Sequence, residues 1–180
     1  MPEIEIRHAI AEDIPKLMGF EHSYSSDYVW QMDVQHPEEE QIEVVFRQVR
    51  LPRSMKVEYP RSVQVLAEEW TKRSGLLVAT FADEVVGYVS LMLEMAPQTT
   101  WVTDLVVTQS LRRKGIGSAL VLAGMAWGIE HQSYRLILEM QPKNYSAICL
   151  AKKLGFEFSG FNDRYYPNRD IALFFSKILR

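Results

Sequence analysis

Leu111-Arg112-Arg113-Lys114-Gly115-Ile116-Gly117-Ser118-Ala119-Leu120 joins two segments of different periodicity, and its reading decides the fold. Upstream, Trp101-Val102-Thr103-Asp104-Leu105-Val106-Val107 is rich in β-branched and apolar residues, as a buried strand is. Downstream, apolar residues at 116, 119, 120, 123 and 127 share one helical face. A basic, glycine-punctuated turn therefore links strand to helix. Glycine lets the backbone adopt positive φ and approach a ligand closely. The helix start offers unpaired N–H donors and the positive end of its dipole, which suits a phosphate. Arg112, Arg113 and Lys114 add attraction and, for the arginines, bidentate geometry. The chemistry is that of a pyrophosphate cradle, with a solvated basic turn as the competing reading.

Two common phosphate loops do not fit. Position 120 is Leu, which breaks Gly-x-Gly-x-x-Gly, and the Gly-x-x-x-x-Gly-Lys-Ser/Thr order is missing. Arg112-x-x-Gly115-x-Gly117 instead resembles the Arg/Gln-x-x-Gly-x-Gly/Ala signature of the GNAT N-acetyltransferases, which hold the pyrophosphate of acetyl-CoA. A second segment strengthens the resemblance. Arg135 to Met140 reads as a strand, Pro142 as a break, and Asn144 to Leu154 as a short helix with Asn144 as N-cap and Gly155 as terminator. Its pattern Asn-x-x-Ala-x-x-Leu-x-x-Lys-x-Gly-Phe, from Asn144 to Phe156, resembles the fourth GNAT helix. The resemblance is firm from about Leu76 onward and weak before it.

Composition narrows the class without identifying it. The chain has 180 residues, enough to bury a sizeable core, and 47% of them are hydrophobic, which excludes a disordered chain. A net charge of -3 gives no bulk attraction to nucleic acid or to an anionic membrane. The single Cys149 cannot form an internal disulfide, no apolar run reaches ~18 residues, and no basic-then-apolar leader is visible. The expectation is a cytoplasmic protein with no membrane or nucleic-acid partner, no metal, and one domain over residues 1–180. Oligomeric state is open, a homodimer included.

The remaining segments read as follows. A first strand covers Glu3 to His8, and a helix opens at Ala11-Glu12-Asp13-Ile14-Pro15. Residues 20–40 mix aromatics with acids. The alternation around Ile42, Val44 and Phe46, resumed at Val57 and Tyr59, predicts an extra two-stranded β excursion at about 41–59, turning at Leu51-Pro52-Arg53-Ser54. Residues 62–73 read as helix, 76–81 and 85–93 as a hairpin, and 156–161 and 171–178 as final strands. The fold class is α+β: a GNAT acyl-CoA N-acyltransferase fold, with a central mixed sheet, flanking helices and two splayed parallel central strands. The resemblance places those two at Trp101–Val107 and Arg135–Met140. It implies that the thioester arm enters between them, pairing with the backbone of Leu105, Val106 and Val107 like an added strand, with Asn144 hydrogen-bonding the same arm. Arg112, Arg113, Lys114, Gly115, Ile116, Gly117 and Ser118 would then cradle the pyrophosphate.

Amine acetylation requires a neutral nucleophile. A lysine-like amine, with pKa ≈ 10.4, is neutral in only about one molecule in a thousand near pH 7.4, so a base matters. Glu139 and Asp104 are the acids on the two central strands, where unpaired charge is costly. Glu139 is the stronger candidate, because Leu-Glu-x-x-x-x-Asn ending at Asn144 resembles ribosomal-protein N-terminal acetyltransferases, where that glutamate works through water. A salt bridge to an arginine is its alternative reading. Many GNAT enzymes place an acidic tyrosine where this chain has Ala151, so that role does not carry over. Tyr165 and Tyr166, in Asp163-Arg164-Tyr165-Tyr166-Pro167, are the phenols left to serve the site, more by orienting the acceptor than by protonating sulfur.

Acceptor identity is less legible. Arg-Tyr-Tyr-Pro followed by Asp170-Ile-Ala-Leu resembles the ribosomal-protein enzymes, while Gly160-Phe161 and Ile171 to Phe175 resemble streptothricin acetyltransferases. Glu21, Tyr24, Asp27, Tyr28, Trp30 and Asp33 form an acid–aromatic set suited to a cationic amine. The basic set Arg47, Arg50, Arg53, Lys56 and Arg61 reads as a solvated strand face, with a partner chain or an acidic ligand as its alternative. The expectation is an N-acetyltransferase using acetyl-CoA on a primary amine, with a small cationic amine or antibiotic ahead of a protein N-terminus or lysine. A catalytically weak acyl-CoA-binding sensor is the alternative of another class.

Overall fold

A computed structural model describes residues 3–180. In chain order, β1 is Glu5–His8, followed after a 3-10 turn at Ala11–Asp13 by α1, Ile14–Met18. A two-stranded ribbon comes next, β2 (Tyr24–Gln35) and β3 (Glu43–Val57), then α2 (Gln64–Glu69). β4 (Gly75–Phe81), β5 (Glu84–Met92) and β6 (Thr99–Val107) lead into α3 (Ile116–Glu130). β7 (Arg135–Met140), α4 (Tyr145–Lys153), β8 (Glu157–Asn162) and β9 (Ala172–Ile178) complete the chain. Seven strands form one sheet in the order β1-β4-β5-β6-β7-β9-β8. Only β6 and β7 run parallel; every other pair is antiparallel.

That parallel pair stops early. β6 and β7 are in register from Thr99–Arg135 to Val102–Leu138 and no further. Beyond that point β6 stays with β5 as far as the Val107–Gly87 pair, and β7 stays with β9 as far as Met140–Leu173. The two central strands therefore splay, and a wedge opens between their C-terminal ends.

The sheet is covered on both faces, which explains its continuous apolar strands. Leu77, Val89, Leu91, Leu120, Val121, Leu136 and Ile148 share one core with α3 and α4. Ile14, Leu17, Leu66, Val78, Tyr88 and Val106 form a second under α1 and α2. In α3 the buried face runs through Ile116, Leu120, Val121, Gly124, Trp127 and Gly128, so the expected stripe shifts onto two glycines. At Gly128 an added Cβ would fall 2.8 Å from Thr100 Oγ1, and the helix lies close to β6 because that Cβ is missing. No helix among the described residues is long and apolar enough to cross a membrane.

The extra β excursion exists but is built differently from the sequence reading. β3 is one strand running straight through Leu51-Pro52-Arg53-Ser54, and its partner is β2, from the segment 20–40 to which the sequence reading assigned no strand. Ser26 faces Met55 and Tyr28 faces Arg50, so Asp27 alone stands opposite residues 51–54. Pro52 thus falls where the ladder is already broken, which is where a strand tolerates a residue without an N–H. The reversal lies between Gln35 and Glu43 instead. Trp30, Phe46, Phe158 and Phe175 interlock at centroid distances of 5.4 to 6.4 Å, and the Trp30 N–H donates to Pro142 O, so the ribbon is fastened across the end of β7.

Candidate active site

The turn after β6 has the geometry of an anion cradle. Gly115 is the N-cap of α3 at φ 91°, a left-handed conformation, and beyond its own chain neighbours nothing lies within 4 Å of where its Cβ would be. Arg113 is also left-handed, at φ 65°. None of the N–H groups from Arg113 to Ser118 donates to a backbone acceptor among the described residues, and a glycine N-cap has no side chain to stand in. Unpaired N–H groups at the start of a 15-residue helix favour an anion. Lys114 is exposed, and among the described residues neither it nor Arg113 is ion-paired. Ile116 is buried and anchors the turn to the core.

The wedge between β6 and β7 is an open cleft. Leu105, Asn144, Ala147 and Leu150 line one part, and Tyr24, Tyr59, Arg61, Thr103, Glu139, Gln141 and Tyr166 another. Leu105 and Val107 pack toward the α3 core, whereas Val106 turns to the α1–α2 core, as strand alternation requires. Asn144 caps α4 by accepting from Ala147 N at 3.1 Å through Oδ1, and its Nδ2 stays free. Glu139 sits at the centre with a fully buried side chain. Oε2 accepts from Trp101 Nε1 at 2.7 Å and from the Tyr165 hydroxyl at 3.0 Å, while Oε1 accepts from the Arg61 guanidinium.

The family model for GNAT acetyltransferases matches residues 34–156, which includes the turn, both splayed strands and α4. The chain belongs to the GNAT acetyltransferase family. No curated protein matches it by sequence. Among solved structures it is similar to a nourseothricin acetyltransferase at 20% identity and a TM-score of 0.83, over 98% of this chain and 99% of that one. A streptothricin acetyltransferase of Bacillus anthracis str. Ames, in complex with acetyl coenzyme A, aligns at 19% identity and a TM-score of 0.76, with the same coverage. The ribosomal-protein-S18-alanine N-acetyltransferase of Escherichia coli aligns at 17% identity and a TM-score of 0.68, over 98% and 94%. At these identities the likeness is one of fold.

Within this GNAT fold the expected site residues divide. Glu139, Asn144, Leu105 and Tyr166 line the cleft, and Tyr165 reaches Glu139 from behind it. Asp104 is buried off the cleft, accepting from the Tyr59 hydroxyl and, at 2.9 Å, from Thr103 Oγ1, with Arg73 at 3.7 Å and Arg61 at 3.9 Å. Arg112 turns away from the cradle: its guanidinium donates to Val107 O at 2.9 Å, Ser23 O at 2.7 Å and Glu21 O. Ala151 is fully buried in the core, so α4 presents Ala147 and Leu150 to the cleft and no phenol.

Of the acid–aromatic set, only Tyr24 lines the cleft. Glu21 pairs with Lys56, Asp33 with Arg47, and Tyr28 packs on Tyr145 at 4.6 Å.

Sequence reasoning missed Arg61, which it placed on a solvated strand face. Arg61 follows β3 and spans the wedge, donating to Thr103 O at 2.9 Å on β6 and to Glu139 on β7, with its guanidinium 5.1 Å from the Tyr166 ring centroid. Burial opposes its charge, but Glu139 and Asp104 outweigh burial and hold its pKa above the ordinary value. The signal available in sequence was its position after Tyr59-Pro60, outside the strand that carries the other basic residues.

Burial raises the pKa of Tyr24, Tyr59, Tyr88 and Tyr166, and burial with the Glu139 charge pushes Tyr165 up to about 12. In the unfolded chain these phenols ionise near pH 10. A folded-state pKa above the unfolded one gives stability that is whole below pH 10 and is lost as pH rises through about 12. The expected tyrosinate absorbance therefore stays low for these five of the eight tyrosines until a sharp rise that coincides with unfolding. Eight phenols titrating smoothly near pH 10 in folded protein would contradict the burial assigned to the cleft.

Proposed function

We propose that this GNAT enzyme transfers the acetyl group of acetyl-CoA to a primary amine on a small cationic acceptor of the streptothricin kind. The observation that carries this reading is the cleft wall that sets the Glu139 carboxylate beside Tyr24, Tyr59 and Tyr166, an acid among aromatic side chains of the kind a cationic amine needs. The names of two structural neighbours support the same acceptor class. In this reading the pyrophosphate lies against the N–H groups of Arg113 to Ser118, with Arg113 and Lys114 supplying charge. The thioester arm runs along the Leu105–Val107 edge, within reach of Asn144 Nδ2. Glu139 takes the amine proton, directly or through water: three donors occupy three of its roughly four acceptor positions, and one is left. Tyr166 orients the acceptor, and Tyr165 orients Glu139.

The test is CoA release in a panel holding nourseothricin, spermidine, an aminoglycoside and an alanine-initiated peptide. Turnover confined to the peptide would move the acceptor to a protein N-terminus. Acetyl-CoA binding with no turnover on any member would count against the small cationic class.

The cradle has its own test. At Gly117 an added Cβ meets Leu150 Cδ2 at 3.5 Å, an ordinary contact, but the branches of a valine reach further and press Leu150 toward the cleft it lines. Gly117→Val is expected to weaken acetyl-CoA about tenfold, or ~1.4 kcal/mol, by calorimetry. A folded variant with wild-type affinity would remove the cradle from this turn.

A further inference from the structure

We propose that Arg112, the first residue of the cofactor-turn motif, is a positioning residue for the acceptor side of the cleft. This rests on the acetyltransferase reading above and assigns the side chain a different duty from that of its neighbours in the turn. The guanidinium donates to three backbone carbonyls. Val107 O is at the end of β6, and Ser23 O and Glu21 O lie some 90 residues away in sequence, in the loop that opens the ribbon. These bonds use Nε–H and one N–H of each terminal nitrogen, and the group is part-buried, so burial lowers its pKa.

The fastened loop runs directly into Tyr24, which lines the cleft and donates to Gln141 Oε1 at 2.6 Å. Gln141 in turn donates to Asp170 at 2.7 Å, in the terminal loop that carries Tyr165 and Tyr166. Within the loop, Glu21 accepts from Ser23 N at 3.0 Å and closes a small turn, yet no backbone hydrogen bond ties residues 21–23 to the sheet. Two side chains fix that loop: buried His22, whose Nε2 lies 3.0 Å from the Tyr88 hydroxyl on β5, and Arg112, which ties it to β6. Without Arg112, Tyr24 keeps its Gln141 partner and the His22 anchor, but the Glu21 and Ser23 carbonyls on either side of His22 lose their tie to β6. The turn thus divides its duties, its backbone N–H groups facing the cofactor and its first side chain holding the loop that leads to Tyr24.

The experiment compares wild type with Arg112→Gln and Arg112→Lys. Calorimetry gives the acetyl-CoA Kd, nourseothricin acetylation gives KM and kcat, and amide hydrogen exchange reads residues 20–25. Arg112→Gln is expected to raise acceptor KM about tenfold and speed exchange at 20–25, with the acetyl-CoA Kd within threefold of wild type. Arg112→Lys, whose ammonium lacks the planar fork, is expected to fall between. A tenfold weaker acetyl-CoA Kd with acceptor KM unchanged would return the side chain to the pyrophosphate and overturn the proposal. Unchanged exchange at 20–25 overturns it as well. If nourseothricin is not turned over by wild type, the acceptor reading falls, while exchange and Kd still decide Arg112. Should the Gln variant fail to fold, the Lys variant carries the same comparison.

Discussion

Glu139→Gln is expected to lower kcat by ~10²–10⁴ at neutral pH, the range associated with losing a well-placed general base. Two physical changes act together. The amide cannot take a proton from the amine. Its NH₂ group must also face a donor, either Arg61 on one side or Trp101 and Tyr165 on the other, because the carboxylate receives donors at both oxygens. The first change depends on pH and the second does not. As pH rises and the acceptor amine loses its proton to solvent, the base contribution shrinks, so the ratio of wild-type to variant kcat should fall toward a constant. That constant measures the geometric part. A pH–rate profile parallel to wild type throughout would make Glu139 a purely structural acid. Asp104, sharing the sheet but pinned by Tyr59, Thr103, Arg61 and Arg73, would then be the one carboxylate left to test.

The parts of this fold that were legible in sequence are those in which local chemistry and tertiary role coincide. Gly115 at positive φ, Asn144 as a cap, and β-branched runs at β6 and β7 each state their own conformation. The ribbon was misread because its signal lies in pairing. β2 carries Tyr24, Tyr28 and Trp30 on even positions, but Asp27 opposite a four-residue stretch shifts the register, and Pro52 imitates a turn in a strand that merely passes that bulge. The buried face of α3 was shifted for another reason. Gly124 and Gly128 carry no hydropathy, although they are what allow the helix close to the sheet. Arg61 was illegible because a cation at a strand end is ordinary, and only the splay of β6 from β7 brings Thr103 O and Glu139 into reach of one guanidinium. Arg112 shows the converse. Its motif was legible, but the motif does not say which way the side chain turns.

Arg61 should also dominate the stability of the cleft. Its partner carboxylate is fully buried, and Arg61 itself is 22% exposed, so the pair lies outside the weak regime of surface ion pairs. Removing one member of such a pair costs about 3–5 kcal/mol, because the other is left buried without compensation. Arg61→Met is therefore expected to lower Tm by roughly 6–20 °C, at the ~2–4 °C per kcal/mol usual for a chain of this size. Glu139 would keep only Trp101 and Tyr165, whereas Asp104 would keep Arg73, Tyr59 and Thr103, so the loss centres on Glu139. Replacing both members, as Arg61→Met with Glu139→Leu, should cost clearly less than the sum of the single changes, since no orphan charge remains. The coupling in that double-mutant cycle is expected at ~2–3 kcal/mol. Arg47→Met is the internal control: its partner Asp33 is 44% exposed on the ribbon's outer face, and less than ~1 kcal/mol is expected there. Equal Tm shifts for Arg47→Met and Arg61→Met, or an additive cycle, would mean that Arg61 is solvated in the working enzyme. The bridge across the splayed strands would then not be a feature of the fold in solution.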